Sequence, residues 1–290
     1  MTLGPVDLGL LVITGVVAGA FGAVLGIGGG LFVVPVLVLG FGEPAQVAVA
    51  ASLAAVVATS SAASSVYVQR GLANMRLGMT LELATTAGAI AGGLTAAVVP
   101  QRVVLWAFAG LTAVTARLMM RRGPAPEAGA GRTTGERRIG GEEIGRLGGF
   151  HLDPQTGEAV PYAVRRLTLG LGVSFVAGNV SGLLGVGGGF LKVPVMALGM
   201  GVPVRVAAAT SNFMIGVTGA ASLVIYFQHG FLQPLIAAPV ALGVTGGALL
   251  GTKASPRIRA EALARALGVV LLVVALQMGL AAAGVWRVGR

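Results

Sequence analysis

Two clusters of glycine are the part of this sequence whose residue types and spacing suggest a binding site. Both have the form Gly-x-Gly-Gly-Gly, and each lies inside a long apolar run. The glycines concerned are Gly26, Gly28, Gly29 and Gly30 in the first half of the chain, and Gly185, Gly187, Gly188 and Gly189 in the second. Three consecutive glycines disfavour a helix, and the prolines that follow, Pro35 and Pro194, each remove a backbone donor. The pattern therefore predicts a helix, a break and a second helix in both halves.

A helix break has a chemical use when it lies inside a membrane. It leaves backbone N–H and C=O groups without partners, which is tolerated only within protein or beside a water-filled cavity. It also exposes the N-terminal end of a helix, whose amides and dipole attract anions. Two such breaks could frame one anion-binding site, although glycine also serves simply to let helices pack closely. A nucleotide-binding loop is not indicated, because neither cluster continues into Gly-Lys-Ser or Gly-Lys-Thr.

Two charged residues lie inside apolar runs and are further candidates. Lys192 follows the second glycine cluster, where the first half has Val33. A charge within an apolar segment is costly and usually faces a cavity, so a bound anion is one source of its counter-charge. The alternative is a lysine that extends along the helix to reach the membrane surface. Glu82 could hold a proton or a cation, but a position at the membrane surface near its helix start is favoured.

Uncharged polar residues near the clusters are candidates for contacting the same anion, because hydroxyl and amide groups can replace part of its hydration shell. They are Ser52, Asn179, Ser211 and Asn212. Each can equally serve as an ordinary hydrogen-bonding group between helices. Four residues at the ends of two later helices are candidates for gating or coupling: Gln69, Arg70, Gln228 and His229. Their alternative role is anchoring at the membrane surface.

The composition places these residues in a membrane protein. Hydrophobic residues make up 55% of the 290 residues and charged residues only 10%, whereas a soluble domain carries about 25% charged residues. The formal net charge of +10 does not indicate nucleic-acid binding, because the basic residues lie between apolar runs, as they do on the cytoplasmic side of membrane proteins. The chain has no cysteine, which excludes disulfides and thiolate metal sites.

Eight apolar stretches are long enough to count as membrane segments, and the backbone constraint of the bilayer predicts that they are helices. They fall in two transmembrane repeats, residues 1–122 and 167–290, joined by a polar cytoplasmic loop over residues 123–166 in which His151–Tyr162 could form a small turn. With both broken segments counted, the sequence predicts an all-α polytopic membrane protein with about 8–10 transmembrane or re-entrant helices. The spacing within Gly88/Gly92 and within Gly243/Gly247/Gly251 predicts close helix packing.

The two repeats align without a gap, with Gly26 on Gly185 at a shift of 159 residues. The same shift places Pro35 on Pro194, Ser52 on Ser211 and Tyr67 on Tyr226. Internal duplication of this kind is common among secondary transporters. If the first segment of each repeat folds back on itself, the repeats are inverted in the membrane and most basic residues lie on the cytoplasmic side. Arg102, Arg287 and Arg290 remain outside in that arrangement, so the inverted orientation is a prediction from the balance of charge.

The glycine-rich segments resemble those of the TauE/SafE family, also called the sulfite exporter or toluene sulfonate uptake permease family. The resemblance lies in Gly19–Pro35 (GAFGAVLGIGGGLFVVP), Gly178–Pro194 (GNVSGLLGVGGGFLKVP) and Ala208–Phe213 (AATSNF), and it extends over the chain outside the central loop. It implies a multi-pass permease of the bacterial inner membrane for small anions, often sulfite, sulfonates or sulfoacetate.

These observations predict a secondary transporter that moves a small anion by alternating access around the paired breaks. An anion channel that uses the breaks as a filter stays open as the alternative. An enzyme is not predicted, because buried carboxylates, histidines and cysteines are nearly absent. We expect no cofactor, no metal and no nucleic-acid partner. The partners that the sequence leaves open, besides the substrate and the bilayer, are a coupling proton or cation and a second copy of the chain.

Overall fold

The computed structural model of the protein describes residues 4–96, 98–121, 147–152, 159–254 and 260–283. Within these ranges, six helices are long and apolar enough to cross a membrane. The chain is therefore a multi-pass α-helical membrane protein, as its composition predicts. Most of the predicted polar loop lies outside the described residues, as do Arg287 and Arg290.

Both halves have the same order of elements. The first half contains α1 (Pro5–Leu25), α2 (Gly30–Pro35), a first π-helix (Val36–Gly40), α3 (Ala45–Gln69), α4 (Met75–Ala96) and α5 (Gln101–Arg121). The second half contains α6 (Leu167–Leu184), α7 (Gly189–Pro194), a second π-helix (Val195–Gly199), α8 (Val204–Gln228), α9 (Pro234–Ala254) and α10 (Ala260–Ala282). The predicted sequence of helix, break and helix is confirmed in both repeats.

A short hairpin lies between the halves, where the sequence predicts only a turn. Strands β1 (Gly149–Leu152) and β2 (Ala159–Tyr162) pair in antiparallel fashion, with Gly149 opposite Tyr162. Tyr162 also accepts a hydrogen bond on its hydroxyl from the side chain of Asn74, which lies just before α4. The hairpin is therefore attached to the helical body at the start of α4.

The glycine breaks have the same backbone conformation in the two halves. Gly26 ends α1 with a φ of 71°, and Gly185 ends α6 with a φ of 68°. The following glycines are also left-handed, at 85° and 72° for Gly28 and Gly29. Their counterparts Gly187 and Gly188 have φ values of 82° and 69°. Residues with a β-carbon rarely adopt this region, so glycine is what permits the chain to leave one helix and start the next within four residues.

The helices pack by exchanging partners between the halves. Helix α1 packs along α9 and α6 packs along α4, while α3 packs against α8 and α5 against α10. Glycines make these seams close: a β-carbon on Gly247 or Gly243 would overlap a backbone carbonyl of α1, and one on Gly88 or Gly92 would overlap a carbonyl of α6. The packing role predicted for these glycines is confirmed, because small residues let helix backbones approach directly in a membrane.

Candidate functional site at the two helix breaks

The two glycine breaks meet each other in the interior of the protein. Ser52 of α3 donates a hydrogen bond to the carbonyl of Gly185 at 2.7 Å, and Ser211 of α8 donates one to the carbonyl of Gly26 at 3.3 Å. Each serine thus belongs to one half of the chain and binds the break of the other half. The repeat shift that aligns Ser52 with Ser211 also aligns Gly26 with Gly185, so the contact is reciprocal.

The backbones of the two breaks lie in direct contact. A β-carbon on Gly30 would overlap the carbonyl of Gly185, and one on Gly189 would overlap the carbonyl of Gly26. All eight glycines of the clusters are buried. This conformation is therefore closed at the breaks, because each break covers the backbone of the other.

Several polar groups beside the breaks are buried with incomplete hydrogen bonding. Asn212 donates from its side-chain amide to the carbonyls of Ala23 and Ala208, both at 3.2 Å. Its Oδ1 atom and the Oγ atom of Ser181 have no hydrogen-bond partner within the described part of the chain. Ser60 donates to the backbone carbonyl of Asn212 and so ties α3 to α8 next to the breaks. Unpartnered buried polar atoms are uncommon in proteins, and these two lie beside the predicted site.

Lys192 lies on α7, immediately after the second break, and its counter-charge is Glu82 of α4. The Nζ atom of Lys192 is 3.8 Å from Oε2 of Glu82, and it donates to Oγ1 of Thr218 at 3.3 Å. Thr218 in turn donates to Oε1 of Glu82 at 2.6 Å. Lys192 is 1% exposed and Glu82 is 5% exposed. Glu82 therefore does not lie at the surface position that the sequence favours, and Lys192 does not extend to the surface.

Comparison with known proteins agrees with this architecture. A family model described as "Sulfite exporter TauE/SafE" matches residues 11–278. This chain belongs to the TauE/SafE family. It is 25% identical over 277 residues to the probable membrane transporter protein YunE of Bacillus subtilis (strain 168), which covers 93% of this chain and 96% of the relative. It is 27% identical over 279 residues to a probable membrane transporter protein of Xylella fastidiosa (strain 9a5c), covering 94% of this chain and 92% of the relative. No solved structure shows a significant match.

This TauE/SafE-family chain is therefore a membrane transporter, and its structure separates the predicted site residues into two groups. The glycine clusters, Ser52, Ser211 and Asn212 lie together at the breaks, and Lys192 follows within one helical turn of Gly189. Asn179 is half-buried, and its backbone lies against Gly88 and Gly92 in the seam between α4 and α6 rather than at the breaks.

The predicted gating residues form the second group and lie far from the breaks. Arg70 ends α3 and His229 ends α8, and both are exposed, as are Gln69 and Gln228. Arg70 is 18 residues after Ser52, a distance of about 27 Å along a helix. His229 contacts the carbonyl of Ile225 at 2.8 Å and stacks on Phe231. Their gating role stays a prediction without a contact to the breaks.

Thr218 is a residue of the site that was not singled out from the sequence. It carries the hydrogen bonds between Lys192 and Glu82, and the signal that could have found it is the repeat, since the shift of 159 places Thr59 on Thr218. Tyr67 and Tyr226, which the same shift aligns, are predicted from the sequence to anchor the helix ends at the membrane surface or, alternatively, to be gate contacts near a substrate route. Both are buried and donate from their hydroxyls to the carbonyls of Ala23 and Leu183.

A separate cavity of about 300 Å³ lies away from the breaks, where the hairpin meets the start of α4. Asn74, Arg76, Phe150 and Tyr162 contribute to its lining. Burial raises the pKa of the Tyr162 hydroxyl above its usual value, and the hydroxyl accepts a hydrogen bond from the side chain of Asn74. Arg76 gives the cavity a positive charge.

Proposed function

We propose that this transporter carries small anions across the bacterial inner membrane, with sulfur-containing anions such as sulfite, sulfonates and sulfoacetate as its substrates. The observation that supports this most directly is the meeting of two broken helices next to a buried lysine. Ser52 and Ser211 hold the breaks against each other, and Lys192 follows the second break.

The chemistry of the breaks favours an anion over a cation or a neutral solute. Where a helix starts inside the membrane, its first N–H groups point out of the helix and its dipole is positive at that end. The short helix α7 that starts at the second break also carries Lys192, a buried basic residue. Oxyanions of sulfur present several acceptor oxygens, which N–H, hydroxyl and ammonium donors can bind together.

Alternating access is the mechanism that fits closed breaks. The backbone of each break is covered by the other, so a substrate can reach this region only if the two breaks separate. The contact between them includes single serine hydrogen bonds, whereas α1–α9 and α4–α6 are joined along glycine seams. We therefore expect the breaks to part on one side of the membrane at a time while the seams stay closed.

Counterflow in proteoliposomes tests the proposal and separates a transporter from a channel. Vesicles loaded with unlabelled sulfite, sulfate or sulfoacetate should accumulate the same labelled anion from outside, because an alternating carrier exchanges its substrate. Electrodiffusive currents without counterflow would instead indicate a channel. Absence of both for all three anions would contradict the proposal.

The role of Lys192 is tested with a variant that leaves no unpaired charge in the interior. Lys192→Met combined with Glu82→Gln should lower anion uptake about ten-fold or more, since a hydrogen bond to a charged group contributes about 1.5–3 kcal/mol and each 1.4 kcal/mol is a factor of ten. Lys253→Met is the matched control, because Lys253 is exposed at the end of α9. If the double variant and the control are present in the membrane in equal amounts and take up the anion equally well, Lys192 is not part of the binding site.

A further inference from the structure

The ion pair between Glu82 and Lys192 is not required by the helical architecture. The repeat shift places Lys192 on Val33 and Glu82 on Ala241, so the first break is supported by apolar residues at the equivalent positions. The threonine that bridges the pair does have a counterpart, since Thr218 aligns with Thr59. One half of the protein thus shows that the same fold forms without these charges, although burying a charge in a membrane is costly.

The pair is also poorly arranged for a structural role. The distance of 3.8 Å between Nζ and Oε2 is too long for a hydrogen bond, and Oε2 has no hydrogen-bond partner within the described residues. Lys192 has three N–H donors, and within the described part of the chain its ammonium group donates one hydrogen bond, to Thr218. A buried ion pair stabilises a fold only with close geometry and full hydrogen bonding. Both groups therefore keep the capacity to bind something else.

Among the described residues, no other charge is near enough to compensate if the pair separates. Helix α6 (Leu167–Leu184), which packs along α4, carries no charged side chain. Helix α8 carries Arg205, which lies 13 residues before Thr218, or about 20 Å along the helix. On α4 itself Arg76 lies six residues before Glu82, or about 9 Å. The groups that face Glu82 at short range are Lys192 and the hydroxyls of Thr218 and Thr86.

We propose that Glu82 is the proton-binding residue of the transport cycle and that the transported anion and Glu82 compete for Lys192; this rests on the anion transport proposed above. Without substrate, the carboxylate of Glu82 balances the ammonium of Lys192. When an anion takes the place of the carboxylate at Lys192, Glu82 binds one proton from the solution that the anion came from. With a monovalent anion such as hydrogen sulfite the site stays neutral, and with a dianion such as sulfate or sulfoacetate the proton limits the net charge to one negative charge instead of two. The anion and the proton leave together on the other side.

Two properties of the site support a proton in this role rather than a metal cation. If an anion displaced Glu82 from Lys192, an unprotonated Glu82 would be a negative charge for which the described residues provide no second cation at short range, and this is strongly unfavourable. One carboxylate with two threonine hydroxyls offers too few oxygens for the coordination that Ca²⁺ or Mg²⁺ requires. A proton needs only the carboxylate.

The closing experiment measures proton movement together with anion movement. Proteoliposomes containing the wild type take up whichever of sulfite, sulfate or sulfoacetate shows counterflow, at an alkaline pH where all three anions are fully ionised and carry no proton of their own, and an enclosed pH dye reports protons. The wild type should acidify the lumen in proportion to anion influx. In whatever anion influx Glu82→Gln retains, protons per anion should fall at least ten-fold, while Glu43→Gln, which removes a carboxylate before α3, should keep the wild-type ratio.

The outcomes separate the two proposals. Anion influx without proton influx in the wild type, or an unchanged ratio in Glu82→Gln, would overturn the role of Glu82 and leave anion transport intact. Failure of all three anions in the wild type would overturn both. If Glu82→Gln does not fold, the purified wild type decides the matter: binding of the same anion in weakly buffered detergent solution at alkaline pH should take up close to one proton per protein, and no uptake contradicts the proposal.

Discussion

At the scale of single residues, the serines that join the breaks differ in strength. Ser52 donates to Gly185 at 2.7 Å, whereas Ser211 donates to Gly26 at 3.3 Å, close to the limit for a hydrogen bond. Both hydroxyls are buried, so removing either leaves a buried carbonyl without its donor. The free-energy cost depends on the strength of the lost hydrogen bond. We therefore expect the break at Gly185 to depend on Ser52 more than the break at Gly26 depends on Ser211.

Serine-to-alanine variants test this difference. Ser52→Ala should lower the free energy of unfolding by about 1–2 kcal/mol, because a buried acceptor loses a short hydrogen bond. Ser211→Ala should cost less than half as much. The measurement is unfolding of purified protein in mild detergent, and the control is Ser61→Ala, an exposed serine of the same helix that bonds only to its own helix. Equal losses for Ser52→Ala and Ser211→Ala would show that the two contacts are equivalent.

Some features of the Lys192 site can be predicted from the sequence and others cannot. The break before Lys192 follows from local sequence, because glycine triplets disfavour a helix. A charge in an apolar run marks Lys192 as a candidate but leaves open whether it faces a cavity or extends to the membrane surface. The identity of its partner does not follow either, because Glu82 is 110 positions away and belongs to the other repeat. A single sequence gives the cost of burying a charge but not the identity of the group that offsets it.

At the scale of elements, the helices pack most closely where glycines face a neighbouring backbone. On α9, Gly247 faces the carbonyl of Val16, while its neighbour Gly246 is exposed and has open space beside it. The two glycines therefore have different roles within one helix. One permits the contact between α1 and α9, and the other contributes only the conformational freedom that glycine adds to a helix.

This pair of adjacent positions gives a matched test. Gly247→Ala should destabilise the protein by about 1–3 kcal/mol, since the added methyl group forces α1 and α9 apart. Gly246→Ala should be neutral or stabilise by up to about 1 kcal/mol, because alanine is the better helix former and meets nothing. Thermal unfolding in detergent measures both. A destabilised Gly246→Ala, or a tolerated Gly247→Ala, would mean that the seam between α1 and α9 is not as close as described.

The positions of the helices were easier to predict from the sequence than the helices that each one packs against. The apolar stretches that the sequence marks correspond to α1–α10, and the two triplets mark the breaks after α1 and α6. The packing of α1 against α9 and of α4 against α6 could not be predicted from the sequence in this way. Lipid and protein interior are both apolar, so a membrane helix such as α3 has apolar residues on every side and its sequence does not show which side meets protein.

At the scale of the whole molecule, the contacts divide the helices into two similar groups. One group contains α1, α2 and α3 with α9 from the other half, and its counterpart contains α6, α7 and α8 with α4. The groups meet through α3 and α8 and through the breaks. Glu82, Thr218 and Lys192 all belong to the second group. If the anion binds at this ion pair as proposed, its binding and release act on one group and not on its counterpart, as the proposed alternating access requires.

The division into two equivalent groups gives the predicted orientation of the repeats a testable form. If the repeats are inverted, equivalent positions of the two halves lie on opposite sides, with the start of α4 in the cytoplasm and the start of α9 outside. The charges agree with this assignment. Arg70 and Arg76 flank the start of α4, whereas residues 206–252, which include the turn before α9, contain no lysine or arginine. Parallel repeats would place both positions on one side.

Cysteine labelling can decide between these orientations because the chain has no cysteine of its own. Met75 and Pro234 are aligned by the repeat shift, are exposed, and lie at the starts of α4 and α9. In intact cells, a membrane-impermeant maleimide should label Pro234→Cys and spare Met75→Cys until the membrane is opened by detergent. Labelling of both variants, or of neither, in intact cells would show that the two starts share one side, and the inverted arrangement would then be wrong.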